Sequence, residues 1–156
     1  MKSLVSLIYA SCSTESFAEH EIPDLLQQIR IANAKQQITG MLLYIRGFFL
    51  QVLEGPPEQV DAVFSKLQGD KRHTQVRLIS REPVPERAFE GWNMMHKTLD
   101  PVEAGELIGE PEYFTSPGWI ADLNGRRAKQ LLLAAGVRWQ REHRSGKYRA
   151  LGGRTA

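Results

Sequence analysis

The sequence predicts an α+β domain of the ferredoxin-like, split βαβ kind. Its core is βαββαβ plus a fifth strand, with two helices on one sheet face and a C-terminal helical extension behind. Three observations predict this. Segments with a repeat of two and segments with a helical repeat follow one another as strand, helix, strand, strand, helix, strand over residues 3–81. A tight turn at Arg46-Gly47 joins the second and third strands as a hairpin. Gly55-Pro56-Pro57 and Gly69 punctuate the second helix on either side.

The first strand is "SLVSLIYA" (3–10), with Val5, Leu7 and Tyr9 on one face and Leu4, Ser6 and Ile8 on the other. "SCSTES" follows as a loop. The first helix starts near Pro23, which suits a first helical position, and ends near Lys35. Leu26, Ile29 and Asn33 share a stripe on it, flanked by Leu25 and Ala32, so Asn33 lies on the apolar side. "QITGMLLYIR" (37–46) and "GFFLQVLEG" (47–55) form the hairpin. The second helix runs to Gln68 with Val60, Val63, Phe64 and Leu67 as its apolar stripe. "TQVRLISR" (74–81) is the fourth strand, and the Pro-rich "EPVPE" leads to a fifth, "FEGWNMMHK" (89–97).

After Pro101 the character changes. "VEAGELIGE" suggests a short helix. Residues 116–144 read as one amphipathic helix, with Ser116 as its cap and Pro117 at its first position. Gly125 and Gly136 each weaken it by ~1 kcal/mol relative to Ala and mark a kink or break. Leu131, Leu132, Ala135 and Trp139 lie on its apolar face and are expected to drive self-association. Residues 1–98 are thus read as one domain, 99–145 as an extension for oligomerisation and output, and 146–156 as a flexible basic tail.

Composition fits this reading. Of 156 residues, 42% are hydrophobic and 24% charged, as in a folded soluble protein. A single cysteine, Cys12, rules out an internal disulfide framework and a cysteine-based zinc site, and with no base beside it in sequence it is read as inert. The histidines at 20, 73, 96 and 143 show no metal-ligand spacing, so no metal is expected. "MKSLVSLIYASC" has an apolar run of minimal length for a signal peptide, broken by Ser6, and is read as a strand. No stretch approaches the ~20 apolar residues that span a bilayer, so the expected compartment is the cytoplasm, with no membrane partner. Residues 126–156 carry 9 Lys/Arg against 1 Asp/Glu, whereas residues 1–125 carry 11 against 17. The basic end reads as a solvated face and tail; without aromatic interleaving it gives no support for nucleic-acid binding.

One residue in the core pattern calls for explanation. Gln51 sits inside Phe48–Leu53 and shares a strand face with Phe49 and Leu53. A buried amide without a partner costs about 1–3 kcal/mol. In the predicted topology the first and third strands are central neighbours, expected to run parallel, which brings Tyr9 beside Gln51 under the helices. Asn33 reaches the same place from the helix above. Three polar groups converging in an apolar setting suit a ligand site. On the residues alone, Tyr9 and Gln51 could equally satisfy each other in a core. By the same token, Asp70-Lys71-Arg72-His73 could be a solvated loop.

Residues 2–97 resemble a BLUF domain, the flavin-binding blue-light sensor. The pieces that carry the resemblance are "LIYAS" (7–11), "IANAKQQITGMLLY" (31–44), "GFFLQVLEG" (47–55), "GDKRHTQV" (69–76) and "FEGWNMM" (89–95). The resemblance implies FAD as cofactor, with FMN the alternative. It implies that Tyr9 is the photochemical electron and proton donor and Gln51 the amide that switches hydrogen bonds. Asn33, Lys66, Asp70, Arg72 and His73 become cofactor-binding positions, and Trp92, Met94 and Ser11 signalling positions. Ala32 stands where a larger residue often touches the flavin, which implies looser ring contact. The match stops near Asp100, as in the short type of member whose C-terminal helices serve oligomerisation and an unknown protein effector in trans. Such a chain is a photoreceptor and not an enzyme. The competing reading is a ferredoxin-like metabolite-binding or oligomerisation module without photochemistry.

Overall fold

A computed structural model describes residues 3–15, 17–116 and 118–143. The elements are β1 (Leu4–Ser13), α1 (Ile22–Gln36), β2 (Thr39–Ile45), β3 (Phe48–Gly55), α2 (Pro57–Gln68), β4 (His73–Val84), β5 (Met95–Leu99), α3 (Pro101–Leu107), α4 (Trp119–Asp122) and α5 (Gly125–His143). They form one five-stranded sheet of order β4-β1-β3-β2-β5. Among the described residues no helix is long and apolar enough to cross a membrane.

The predicted hairpin is present. Arg46 (φ 34°) and Gly47 (φ 87°) both lie in the left-handed region, as a two-residue hairpin turn requires. The expected direction of the central pair is corrected: β1 and β3 run antiparallel. The reason is topological. A helical crossover returns β2 parallel to β1, and the hairpin then reverses the chain, so β3 must oppose β1. The pairing survives the change, and Tyr9 stands directly opposite Gln51.

Two strand boundaries also differ. β4 continues through Pro83 to Val84. It pairs only with β1, so it is an edge strand, where a missing N–H is tolerated. β5 begins only at Met95. The stretch predicted to be its first half turns instead: Gly91 has φ 85°, and the Trp92 N–H donates to the Phe89 carbonyl (3.2 Å). Trp92 and Met94 therefore precede the strand.

Each sheet face has its own core. On one, Leu7, Tyr9, Phe49 and Leu53 pack beneath α1 and α2. On the other, Ile8, Met41, Leu43, Leu50 and Val52 pack against the C-terminal helices. This second layer corrects two expectations. The predicted single helix is broken at Leu123-Asn124, where the Asn124 side chain accepts the Arg127 N–H (2.8 Å) and starts α5. Ser116 precedes α4 but contributes no side-chain cap; Pro117 and the basic tail at 146–156 lie outside the described residues. More importantly, Leu131, Leu132, Ala135 and Trp139 are all buried within one chain against the sheet. Burying each large side chain contributes roughly 1.5–3 kcal/mol, so the stripe stabilises the fold itself and is not available for self-association. Gly136 lets α5 approach: a Cβ there would lie 2.9 Å from the Phe89 ring.

Candidate functional site

The site is built where β1 and β3 pass under α1 and α2. Tyr9 and Gln51 are buried cross-strand neighbours, and the Tyr9 hydroxyl donates to Gln51 Oε1. The Gln51 amide nitrogen points to Met94 Sδ at 3.4 Å. A thioether is a weak acceptor, so this amide donor is held by a partner it can give up at small cost. Burial first, and the Asp70 charge second, raise the Tyr9 phenol well above its ordinary range. The phenol thus keeps its proton at every physiological pH.

Beside this pair, a cleft of about 300 Å³ opens between α1 and α2. Its walls are apolar, with Leu25, Ile29, Val63 and Leu67; Asn33, Gln51, Lys66, Asp70 and Arg72 also line it. Ala32 lines it too. Asn33 is buried at the end of α1 and donates from Nδ2 to the Asn93 carbonyl (2.9 Å). Asp70 and Arg72 form an ion pair (2.8 Å), and Arg72 reaches Gln28 on α1 (3.3 Å). The Arg72 hydrogen bond is the main reason the Asp70 carboxyl is held below its usual range. Lys66 makes no ion pair among the described residues.

His73 is placed differently from the polar contact expected of it. Its Nε2 faces the Leu67 carbonyl, which can only accept, so Nε2 carries a proton. Its Nδ1 then accepts from the Ser11 hydroxyl (2.9 Å) when the ring is neutral. Both nitrogens are committed within the protein, and His73 meets the inner end of the cleft with its ring edge-on to Tyr9. Ser11 is fully buried and serves His73.

Trp92 and Met94 diverge. Met94 lies on the cleft side against Gln51. Trp92 packs edge-on to Trp139 of α5 on the opposite face, with ring centroids 4.4 Å apart. Sequence reasoning missed two residues that hold this segment. Glu54 is buried on β3 and accepts from Thr39, Ala88 and Phe89. Arg30 donates from Nε to the Met94 carbonyl (2.9 Å). The signal for Glu54 was the one used for Gln51, a polar side chain in an apolar strand; nothing comparable pointed to Arg30.

An apolar slot with two amides at one end suits a flat heteroaromatic ring whose edge carries both carbonyls and N–H groups. The model for the family described as BLUF, sensors of blue light using FAD, matches residues 4–95. The chain belongs to the BLUF family. The photoactivated adenylate cyclase subunit beta of Euglena longa is 33% identical over 97 residues, which cover 62% of this chain and 11% of that protein. The chain therefore spans about a tenth of that relative's length. The dark-state structure of the BLUF protein BlrB superposes with a TM-score of 0.69 at 28% identity, covering 88% of this chain and 96% of that one. The structure of Klebsiella pneumoniae BlrP1 with FMN and cyclic diGMP has a TM-score of 0.58 at 33% identity, over 61% of this chain and 26% of that one. BLUF domains bind FAD, and the residues lining the cleft fit a flavin ring.

Proposed function

We propose that this chain is a blue-light receptor in which Tyr9 and Gln51 carry the photochemistry and the segment through Trp92 and Met94 carries the signal. The observation that supports this most is the Tyr9–Gln51–Met94 chain of contacts, buried beside a cleft of flavin-like character. A flavin bound there supplies absorption of blue light and an acceptor for one electron. Tyr9 is an oxidisable group buried beside Gln51, which lines the cleft, and its retained proton has a path through Gln51, to which it donates. Gln51 can accept on Oε1 and donate on Nε2, so proton movement lets its amide exchange partners. A net hydrogen bond is worth about 0.5–1.5 kcal/mol, so the switch is small and must act on something poised. Met94 is poised, being held by a weak acceptor contact on one side and by Arg30 on the other.

Asn33 and Gln51 would orient the ring edge, with Lys66 and the Asp70–Arg72 pair flanking it. No reaction on a substrate is proposed. The output is contact with a protein effector in trans. Any self-association through α5 would use its outer face, where Leu133 is 39% and Val137 52% exposed. Purified protein should be yellow, and blue light should shift its spectrum reversibly to the red. Tyr9→Phe and Gln51→Leu should keep the colour and lose the shift. A normal photocycle in either variant refutes the assignment.

A further inference from the structure

A cleft larger than the one between α1 and α2 lies elsewhere on the molecule. A cavity of about 620 Å³ lies where the start of α1, the edge strand β5 and the end of α5 meet. Its lining includes Arg30, His96, Lys97, Trp139, Glu142 and His143. Of these only Arg30 has a part in the switch proposed above, through its hold on the Met94 carbonyl.

Arg30 and Lys97 line it with Glu19 and Glu142, so its formal charges balance, but neither Arg30 nor Glu19 makes an ion pair among the described residues. Glu142 is already paired with Lys97 (2.7 Å). Arg30 spends Nε on the Met94 carbonyl, and among the described residues its guanidinium has no carboxylate partner. It is half-buried, and loss of solvent pulls its pKa down. His96, beside both Arg30 and Lys97, is driven down to about 4 by burial first and by those two charges next. A partly desolvated guanidinium is costly unless something pairs with it. At one wall the Trp139 and His143 rings stack with centroids 3.8 Å apart and planes 16° apart, Trp139 buried and His143 half-buried.

We propose that this cleft binds a planar organic anion, its phosphate or carboxylate on Arg30 and its ring against the Trp139–His143 wall. The volume lies within the ~300–1,000 Å³ typical of small-molecule sites. Guanidinium forks match phosphate and carboxylate geometry. Arg30 also gives the site access to the photochemical centre, since the carbonyl it holds belongs to the residue that meets Gln51. Coupling of this kind is reciprocal, so occupancy of one site must alter the other. The coupling rests on the proposed photochemistry; the binding does not.

The test is calorimetry on dark-state, flavin-loaded protein with AMP for a phosphate head and 1-naphthoate for a carboxylate head, and adenosine as the uncharged counterpart of AMP. At least one anion should bind saturably with one site, and adenosine at least tenfold more weakly than AMP. Arg30→Gln should weaken binding tenfold or more while keeping the yellow colour as evidence of folding. Lys97→Gln, at a more forgiving edge-strand position, should weaken it threefold or more and keeps the test alive if Arg30→Gln does not fold. No saturable binding of either anion, or binding indifferent to both substitutions, overturns the site. In protein already shown to photocycle, saturating ligand should change the rate of dark reversion at least twofold. An unchanged rate with dark binding intact overturns the coupling.

Discussion

Replacing Glu54 by Gln tests whether one buried carboxylate fixes the segment that carries Trp92 and Met94. Glu54 is 2% exposed, and its two oxygens take three donors: Thr39 Oγ1 (2.9 Å) and Phe89 N–H (2.6 Å) on Oε1, Ala88 N–H (2.9 Å) on Oε2. Glutamine has nearly the same shape, so no cavity forms. With its oxygen in place of Oε1, its NH₂ faces the Ala88 N–H, donor against donor. One charge-assisted hydrogen bond is lost and one half-buried N–H is left unpaired, while the two remaining bonds become neutral. Charged hydrogen bonds contribute about 1.5–3 kcal/mol, and an orphaned buried donor costs about 1–3 kcal/mol. We expect a loss of about 2–4 kcal/mol in urea unfolding followed by circular dichroism. That is a large share of the 5–15 kcal/mol typical of a domain. Since the loosened residues lead directly to Met94, the red-shifted state should also revert at an altered rate. A stability change below about 0.5 kcal/mol would show that the carboxylate does not hold this segment.

Two further outcomes follow from particular residues. A Cβ at Gly40 would lie 2.0 Å from the Val52 carbonyl oxygen, in the middle of the sheet, so Gly40→Ala must separate β2 from β3. It should cost more than ~3 kcal/mol or give no soluble protein, whereas Gly118→Ala, with nothing within 4 Å, should stay within ~0.5 kcal/mol of wild type; equal effects would refute the packing argument. The second concerns pH. Around His96 stand Arg30 from α1, Lys97 on its own strand, Glu142 and His143 from α5, and His20 and Glu19 from the turn before α1. Its folded pKa of about 4 lies below the ordinary 6.5, so the unfolded chain takes up a proton first as pH falls. Its contribution is complete above pH 6.5 and is lost as pH falls through about 4, amounting to roughly 3 kcal/mol at most. Melting temperatures between pH 7.5 and 4 should fall less steeply in His96→Gln than in wild type; parallel curves would refute this.

Much of the fold was legible because alternation and helical spacing report which face of an element is buried. They do not report against what. The stripe of Leu131, Leu132, Ala135 and Trp139 was recognised, yet its partner is the sheet's second face. That face could have been anticipated: Leu50 and Val52, like Ile8, are too apolar to face water, so a layer had to cover them. β4 was read too short because a proline seemed to end it, although an edge strand tolerates one. β5 was read too early because Phe89, Trp92 and Met94 are strand-like residues, while the positive φ of Gly91 and the pull of Glu54 on the Phe89 N–H come from tertiary structure. At the site, Tyr9 and Gln51 were found because an isolated polar residue in a core demands a partner. Arg30 escaped because a long cation on a helix normally reaches solvent, and nothing in the sequence said that a carbonyl waited beside it.

The segment from Arg87 to Met94 is where the two halves of the molecule meet, and its restraints explain why a small event could be felt across the sheet. It is held from below by Glu54, and from the side by the Gly40 N–H on the Trp92 carbonyl (3.2 Å) and by Asn33 on the Asn93 carbonyl. At its end Arg30 grips Met94. Two residues of this stretch point to opposite cores: Met94 to the core beneath α1 and α2, Trp92 to Trp139 of α5. A strand would have sent both side chains to the same face, since they are two residues apart. The turn that breaks the strand is thus what allows one short segment to touch both layers. If Gln51 releases Met94, the restraint lost lies on one side only, and the closely packed Trp92–Trp139 contact on the other side must share the adjustment. The irregularity that defeated a simple strand reading is therefore the feature that gives the proposed photochemistry a route to α5.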